Sequence, residues 1–180
     1  IEQALPGVTI DKSYKQKPDA LRLVVNYQGA SIKVELSPVL RGVLHPPEIR
    51  PVVESVEQQF GFAEAPVVAL EDLYAGKICA VLDRQHPRDF FDVLLLLENE
   101  GIGESLRKAF LVYLVSHARP MEELLEPQWQ PLGAAFENEF KRMTFRKVSV
   151  KELEAVGHQV LNRLLSTLTR QEKQFLISLY

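Results

Sequence analysis

Two runs near the start of the chain alternate between apolar and polar residues. Leu21–Tyr27 and residues 31–37 are rich in Val, Leu and Ile, and Gln28-Gly29 separates them. Glycine at that point supplies the positive φ of a tight turn, so the pattern predicts a β-hairpin. A two-residue turn places Tyr27 opposite Ala30, Val25 opposite Ile32 and Leu23 opposite Val34. One face then carries Leu21, Leu23, Val25, Ile32, Val34 and Leu36. The other carries Arg22, Val24, Asn26, Ser31, Lys33 and Glu35. Such alternation suits a sheet with one face on a core. Residues 38–51 read as a connector, because Pro46-Pro47 forbids a regular helix there. Residues 52–60 fit either a strand or a short helix, and residues 66–69 read as a short strand leading into a helix.

From Leu70 onward the period lengthens to that of a helix. Residues 71–84 form one predicted helix, with Glu71 and Asp72 favoured by the dipole at its start. Residues 87–100 form the next, with Pro87 at its first position and Gly101 to end it. Further helices are predicted over 105–117, 121–125, 131–143 and 150–180, the last broken near 167–171. The expected fold class is therefore α+β, with strands first and a helical bundle after. The expected division is a β-rich part, 1–69, and a helical part, 70–180.

Composition narrows the functional classes. A chain of 180 residues, 46% hydrophobic and 25% charged, can bury a core and is not disordered. Its single cysteine, Cys79, makes no internal disulfide, and no CxxC or HExxH zinc pattern occurs. The longest apolar run, residues 109–115, is far short of a membrane span, and no signal peptide is visible. These features fit a cytoplasmic protein with no membrane partner. The net charge of −3 hides basic ends and an acidic middle. Lys141, Arg142, Arg146, Lys147 and Lys151 form a basic block that is either a solvated surface or an attraction for phosphates. Trp129, Phe136, Phe140 and Phe145 are expected to pack helices rather than stack on bases.

Several polar residues stand at unusual positions. Leu70, Leu73, Tyr74, Lys77, Val81 and Arg84 share one face of the first long helix, so Lys77 must reach water or meet an anion. Arg88-Asp89-Phe90-Phe91-Asp92 opens the following helix, whose next residues are all apolar. Asp89 and Asp92 there can cap free N–H groups or belong to a site. The short loop Gln85-His86 brings Lys77, Arg84, Arg88, Asp89 and Asp92 towards one αα-hairpin, which suits phosphate binding. Glu35 lies opposite Arg22 in the predicted register. It is either half of a cross-strand ion pair or a carboxylate for a divalent ion.

The segment 70–84, with Lys77 and Arg84, followed by His86-Pro87-Arg88-Asp89-Phe90-Phe91-Asp92-Val93, resembles the C-terminal signature of the AbiEii/AbiGii toxin family. These are nucleotidyltransferases of the DNA polymerase β type, found in type IV toxin–antitoxin and abortive-infection systems. The strand Ile32-Lys33-Val34-Glu35-Leu36-Ser37 resembles the family strand bearing a third acidic residue. The resemblance implies catalytic roles for Lys77 and Asp89, phosphate or nucleotide contacts for Arg84, Arg88 and Asp92, and a metal role for Glu35. It implies Mg²⁺ and an NTP, with tRNA or another RNA as acceptor and a cognate antitoxin as a further partner.

The family's Gly-Ser motif and its Asp-x-Asp strand do not occur in this sequence. With Ile1 as first residue, the expectation is that they lie upstream and that this chain is the C-terminal part of such an enzyme, with little activity alone. The alternative expectation is a non-catalytic helical module that binds nucleic acid or a protein through residues 141–151.

Overall fold

The hairpin forms in the expected register. β2 (Leu21–Tyr27) pairs antiparallel with β3 (Ala30–Glu35), with Tyr27 opposite Ala30 and Arg22 opposite Glu35. Gln28 and Gly29 have φ of 48° and 81°, the two positive values that match the twist of a two-residue hairpin. The structure is a computed structural model that describes residue 3 and residues 5–14, 21–35 and 42–179. Of Ser13, Tyr14, Leu21 and Glu35 it describes the backbone. The end of the strand expected over 31–37 lies outside the described residues. A strand not read from the sequence, β1 (Thr9–Tyr14), adds to the other edge of β2, and the Asn26 amide donates to Asp11 at 3.1 Å. The expected core-facing side is not buried: Leu23 and Val25 are half-buried, while Ile32 and Val34 are exposed.

The architecture is α+β, in two compact units, Ile1–Gly42 and Val43–Tyr180. The compact units divide between Gly42 and Val43, whereas the sequence pattern places its division between residues 69 and 70. The second unit opens with β4 (Glu48–Pro51) and β5 (Glu64–Val67), an antiparallel pair bracketing α1 (Glu54–Phe60). The segment that fitted strand or helix is thus a helix, and it buries none of its residues.

The helices α2 (Leu70–Asp83), α3 (Pro87–Asn99), α4 (Glu104–Val115) and α5 (Met121–Leu125) follow close to the expected bounds. Pro87 stands at the start of α3, and Gly101, at φ 72°, ends the helix with its N–H on the Leu96 carbonyl. The helix expected over 131–143 is instead a single turn, α6 (Gly133–Ala135), running into a π-helical turn over Phe136–Phe140. The wider turn sets Phe136 and Phe140 side by side with ring centres 5.6 Å apart, both buried. α7 (Val150–Thr167) and α8 (Arg170–Ile177) are separated where a break was expected, each opened by a capping box from Ser149 and Thr169.

Among the described residues the core lies within this helical part. α2 packs on α3 and α4, and α3 packs on α7. Ile78, Leu82, Phe90, Leu96, Phe110, Leu114, Leu153 and Leu164 are all nearly or fully buried. The buried stripe of α2 is Asp72, Ala75, Ile78, Cys79 and Leu82, with Val81 beside it. The stripe read from the sequence is displaced from it, since Leu70, Leu73 and Arg84 are exposed. No helix among the described residues is long and apolar enough to cross a membrane.

Candidate active site

Gln85 is held at φ 50°, which reverses the chain within two residues and lays α3 back along α2. Its side-chain amide spans the loop at 127–130: Nε2 donates to the Gln128 carbonyl at 3.1 Å and Oε1 accepts from the Gln130 N–H at 2.8 Å. His86 then caps α3, its Nδ1 accepting from the Arg88 N–H at 3.2 Å. Its other ring nitrogen, Nε2, faces the Glu139 carboxylate at 3.1 Å.

This tight reversal is what lets Arg84 and Asp89 meet. The guanidinium grips the carboxylate with two parallel hydrogen bonds, Nε to Oδ2 and Nη2 to Oδ1, each 2.7 Å. Asp89 has no exposed surface. The hydrogen bonds to Asp89 raise the Arg84 guanidinium pKa further above its already high value. Lys77, two turns back along α2, places Nζ 2.7 Å from Asp92 and 3.8 Å from Asp89. It therefore meets an anion, as one of the two expectations had it, and stands half-buried at the edge of the helix pair. Arg88 donates from Nε to His86 Nδ1 at 3.4 Å, and no ion pair engages it among the described residues.

These five residues line one cavity of about 470 Å³, with Phe91, Phe140 and Met143 as its apolar wall. Its three cations face two carboxylates, leaving a surplus positive charge centred on Arg88. A larger cavity of about 610 Å³ shares Arg84 but sets Asp83, Glu123 and Glu126 against two guanidiniums. The balance of charge favours an anion in the first and disfavours one in the second.

Glu35 belongs to the first unit, where its backbone pairs with Arg22; its side chain lies outside the described residues. Among the described residues no three His, Cys, Asp or Glu side chains gather as a group that could hold a metal. Both carboxylates of the cavity are already engaged by cations. The described residues of the cavity therefore do not fit a metal ion as they stand.

The family model that matches residues 2–171 is described as nucleotidyl transferase AbiEii toxin, type IV toxin–antitoxin system. The chain belongs to the AbiEii family. Among solved structures, this AbiEii chain is similar to MenT4, a nucleotidyltransferase toxin from Mycobacterium tuberculosis. The TM-score is 0.66 at 17% identity, over 93% of this chain and 62% of that one. At that identity the likeness shows the fold, and the AbiEii chain spans less than two thirds of the length of MenT4. Comparison with curated protein sequences finds no match.

Sequence reasoning missed one polar centre of the AbiEii chain altogether. Asp72, read as a dipole-favoured carboxylate, is buried and accepts from the Leu44 N–H at 2.7 Å, the His45 N–H at 3.0 Å and Tyr113 Oη at 2.8 Å. His45 Nδ1 adds a fourth contact at 2.8 Å. Burial pushes the carboxyl up, but these hydrogen bonds outweigh it and hold it below its ordinary value. The only signal in the sequence was its position, three residues before Ala75 and seven before Cys79 on the core stripe.

Proposed function

We propose that this chain supplies the phosphate-binding half of an AbiEii-type nucleotidyltransferase toxin, acting on an NTP with an RNA acceptor. The observation that carries the reading is the Arg84–Asp89–Lys77–Asp92 network, which walls a cavity where Arg88 is the one cation with no ion pair among the described residues. Arg88 and Lys77 take the triphosphate oxygens, Lys77 exchanging part of its hold on Asp92 for a phosphate. Asp89 is a positioning residue. Both of its oxygens are occupied by Arg84 and it is sealed from solvent, so it is poorly placed to accept a proton from a substrate hydroxyl. Its charge keeps Arg84 in place and draws Lys77 to the cavity edge. Asp92 sets the position of the Lys77 ammonium.

In the reaction that membership implies, an acceptor hydroxyl forms a bond to the α-phosphorus and the bond to pyrophosphate breaks. The network offers electrostatic stabilisation for the departing phosphates. Mg²⁺ is part of the proposal through the family alone, with Glu35 as the proposed metal carboxylate. The sequence contains neither Gly-Ser nor Asp-x-Asp, so the chain by itself is expected to label RNA weakly or not at all. A cognate antitoxin and a cytoplasmic site of action belong to the same reading. The AbiEii match favours this over a non-catalytic binding module.

The test is titration of the chain with a fluorescent NTP. Lys77→Ala and Arg88→Ala should each weaken binding about tenfold or more, the scale of a lost charge-assisted hydrogen bond. Lys108→Ala, in an exposed pair with Glu104, should leave it unchanged. Equal affinity in all four proteins would overturn the reading. In cells, Lys77→Ala and Asp89→Ala in the protein carrying this sequence should relieve growth inhibition; unchanged toxicity in both would count against it.

A further inference from the structure

The basic block at 141–151 is not used by the cavity, yet it begins at its wall. Met143 lines the cavity with Lys77 and Asp89 and is itself mostly exposed. Two residues on, Phe145 is fully exposed, although the sequence pattern assigns it to helix packing. Its neighbours differ in their commitments. Lys141 is held by Glu137 one turn back, and Arg146 by Glu98 of α3 and Glu152 of α7. Arg142, Lys147 and Lys151 are exposed, and no ion pair engages them among the described residues.

The segment is not a loose tether. Phe140 is buried at one end, and Val148 packs against the core at the other. The Met143 N–H bonds the Phe140 carbonyl at 2.7 Å, and the Arg146 N–H bonds Thr144 Oγ1 at 3.1 Å. Pinning Arg146 to two helices fixes the backbone next to Phe145 and leaves the ring pointing at nothing. With exposed Met143 two residues away, exposed Phe145 offers an apolar contact to a partner. Three exposed cations within six residues of Phe145, with no ion pair among the described residues, favour an anionic one. Alternating cations and exposed apolar side chains are what bind a single strand, with phosphates on the cations and a base stacked on the ring.

We infer that residues 142–151 form a platform for single-stranded RNA, with Phe145 stacking a base, Arg142, Lys147 and Lys151 contacting phosphates, and Met143 passing the strand end to the cavity. The choice of RNA rests on the acceptor proposed above; the surface itself does not.

The experiment is fluorescence anisotropy of a labelled oligouridylate, with a self-paired RNA duplex as competitor, on the whole chain. Phe145→Ala should weaken binding about tenfold, and Phe145→Trp should restore it. Phe145 touches no core residue, so circular dichroism should be unchanged. Replacing Arg142, Lys147 and Lys151 with Gln should reduce the slope of log affinity against log salt by about 2. Unchanged affinity in both variants, or preference for the duplex, would overturn the platform. So would a dimer of the chain that Phe145→Ala dissociates, which would assign the surface to a second copy. Fluorescent NTP is titrated into the same proteins. RNA binding through Phe145 without NTP binding would sink the proposed function and keep the platform. NTP binding with RNA binding indifferent to the loop would do the reverse.

Discussion

Asp72 and Asp89 are both buried carboxylates, but they answer to different partners. Asp72 is held by neutral backbone donors, a tyrosine hydroxyl and the His45 ring. Asp72→Asn keeps the shape and turns one acceptor oxygen into a donor facing other donors. It should cost about 2 kcal/mol in urea denaturation, the scale of a buried group left unsatisfied. Because the folded carboxyl is held below its ordinary 3.8, its contribution is complete above that pH and lost as pH falls through the lower folded value. The stability difference between the native protein and Asp72→Asn should therefore shrink on acidification below about pH 4. A difference that stayed constant to low pH would contradict this. For Asp89 the asymmetry lies between the partners. Arg84 is largely exposed and can be rehydrated, whereas Asp89 cannot. Arg84→Ala strands a buried carboxylate with only Lys77 at 3.8 Å, while Asp89→Asn frees a solvated guanidinium. Arg84→Ala should be the more destabilising of the two, by about 1 kcal/mol or more. The reverse order would mean that Asp89 is not held mainly by Arg84.

At the scale of elements, one close approach in α7 can be tested directly. A Cβ built on Gly157 would lie 2.5 Å from Trp129 Cη2 and Cζ3 and 3.0 Å from Phe90 Cε1. Alanine gains roughly 1 kcal/mol in a helix interior, but here Trp129 would have to leave its contacts with Phe90 and His158. Overpacking of this kind costs about 1–3 kcal/mol, so Gly157→Ala should be destabilising overall. Trp129 is the only tryptophan, so its fluorescence should report the displacement. An unchanged spectrum with raised stability would refute it. The same helices show what could be read from sequence. The hairpin register was legible because a two-residue turn fixes the parity of every pair. Lys77, Arg88, Asp89 and Asp92 could be brought to one place because helix periodicity and a two-residue loop leave little freedom. The buried face of α2 was not legible, because Asp72 occupies a core position and its partners Leu44, His45 and Tyr113 are distant in sequence. The π-helical turn was hidden, since Phe136 and Phe140 are spaced as in an ordinary helix. β1 and β4 are short and rich in polar residues, so neither offered an apolar run. Phe145 looked like core because hydropathy carries no sign of a loop pinned from both sides by Arg146.

For the whole molecule, the distribution of the core decides which part can stand alone. Every buried hydrophobic side chain among the described residues falls between Ala75 and Leu176, inside the second unit. Among the described residues the first unit offers a three-stranded sheet with no buried hydrophobic side chain. A fragment of residues 43–180 should therefore fold and unfold cooperatively, with the helical circular dichroism of the full chain. Residues 1–42 alone should show no cooperative transition, since a small sheet without a packed face is marginal in water. The exact cut matters, because Leu44 and His45 supply three of the four partners of Asp72. A fragment beginning at residue 47 keeps the whole hydrophobic core but leaves Asp72 with Tyr113 alone. It should unfold at lower urea than the 43–180 fragment, by about 2 kcal/mol. Restoring neutrality with Asp72→Asn in the shorter fragment should recover part of that loss, since the uncompensated charge is then gone. Equal stability of the two fragments would mean that the strap at Leu44 and His45 contributes nothing to the bundle.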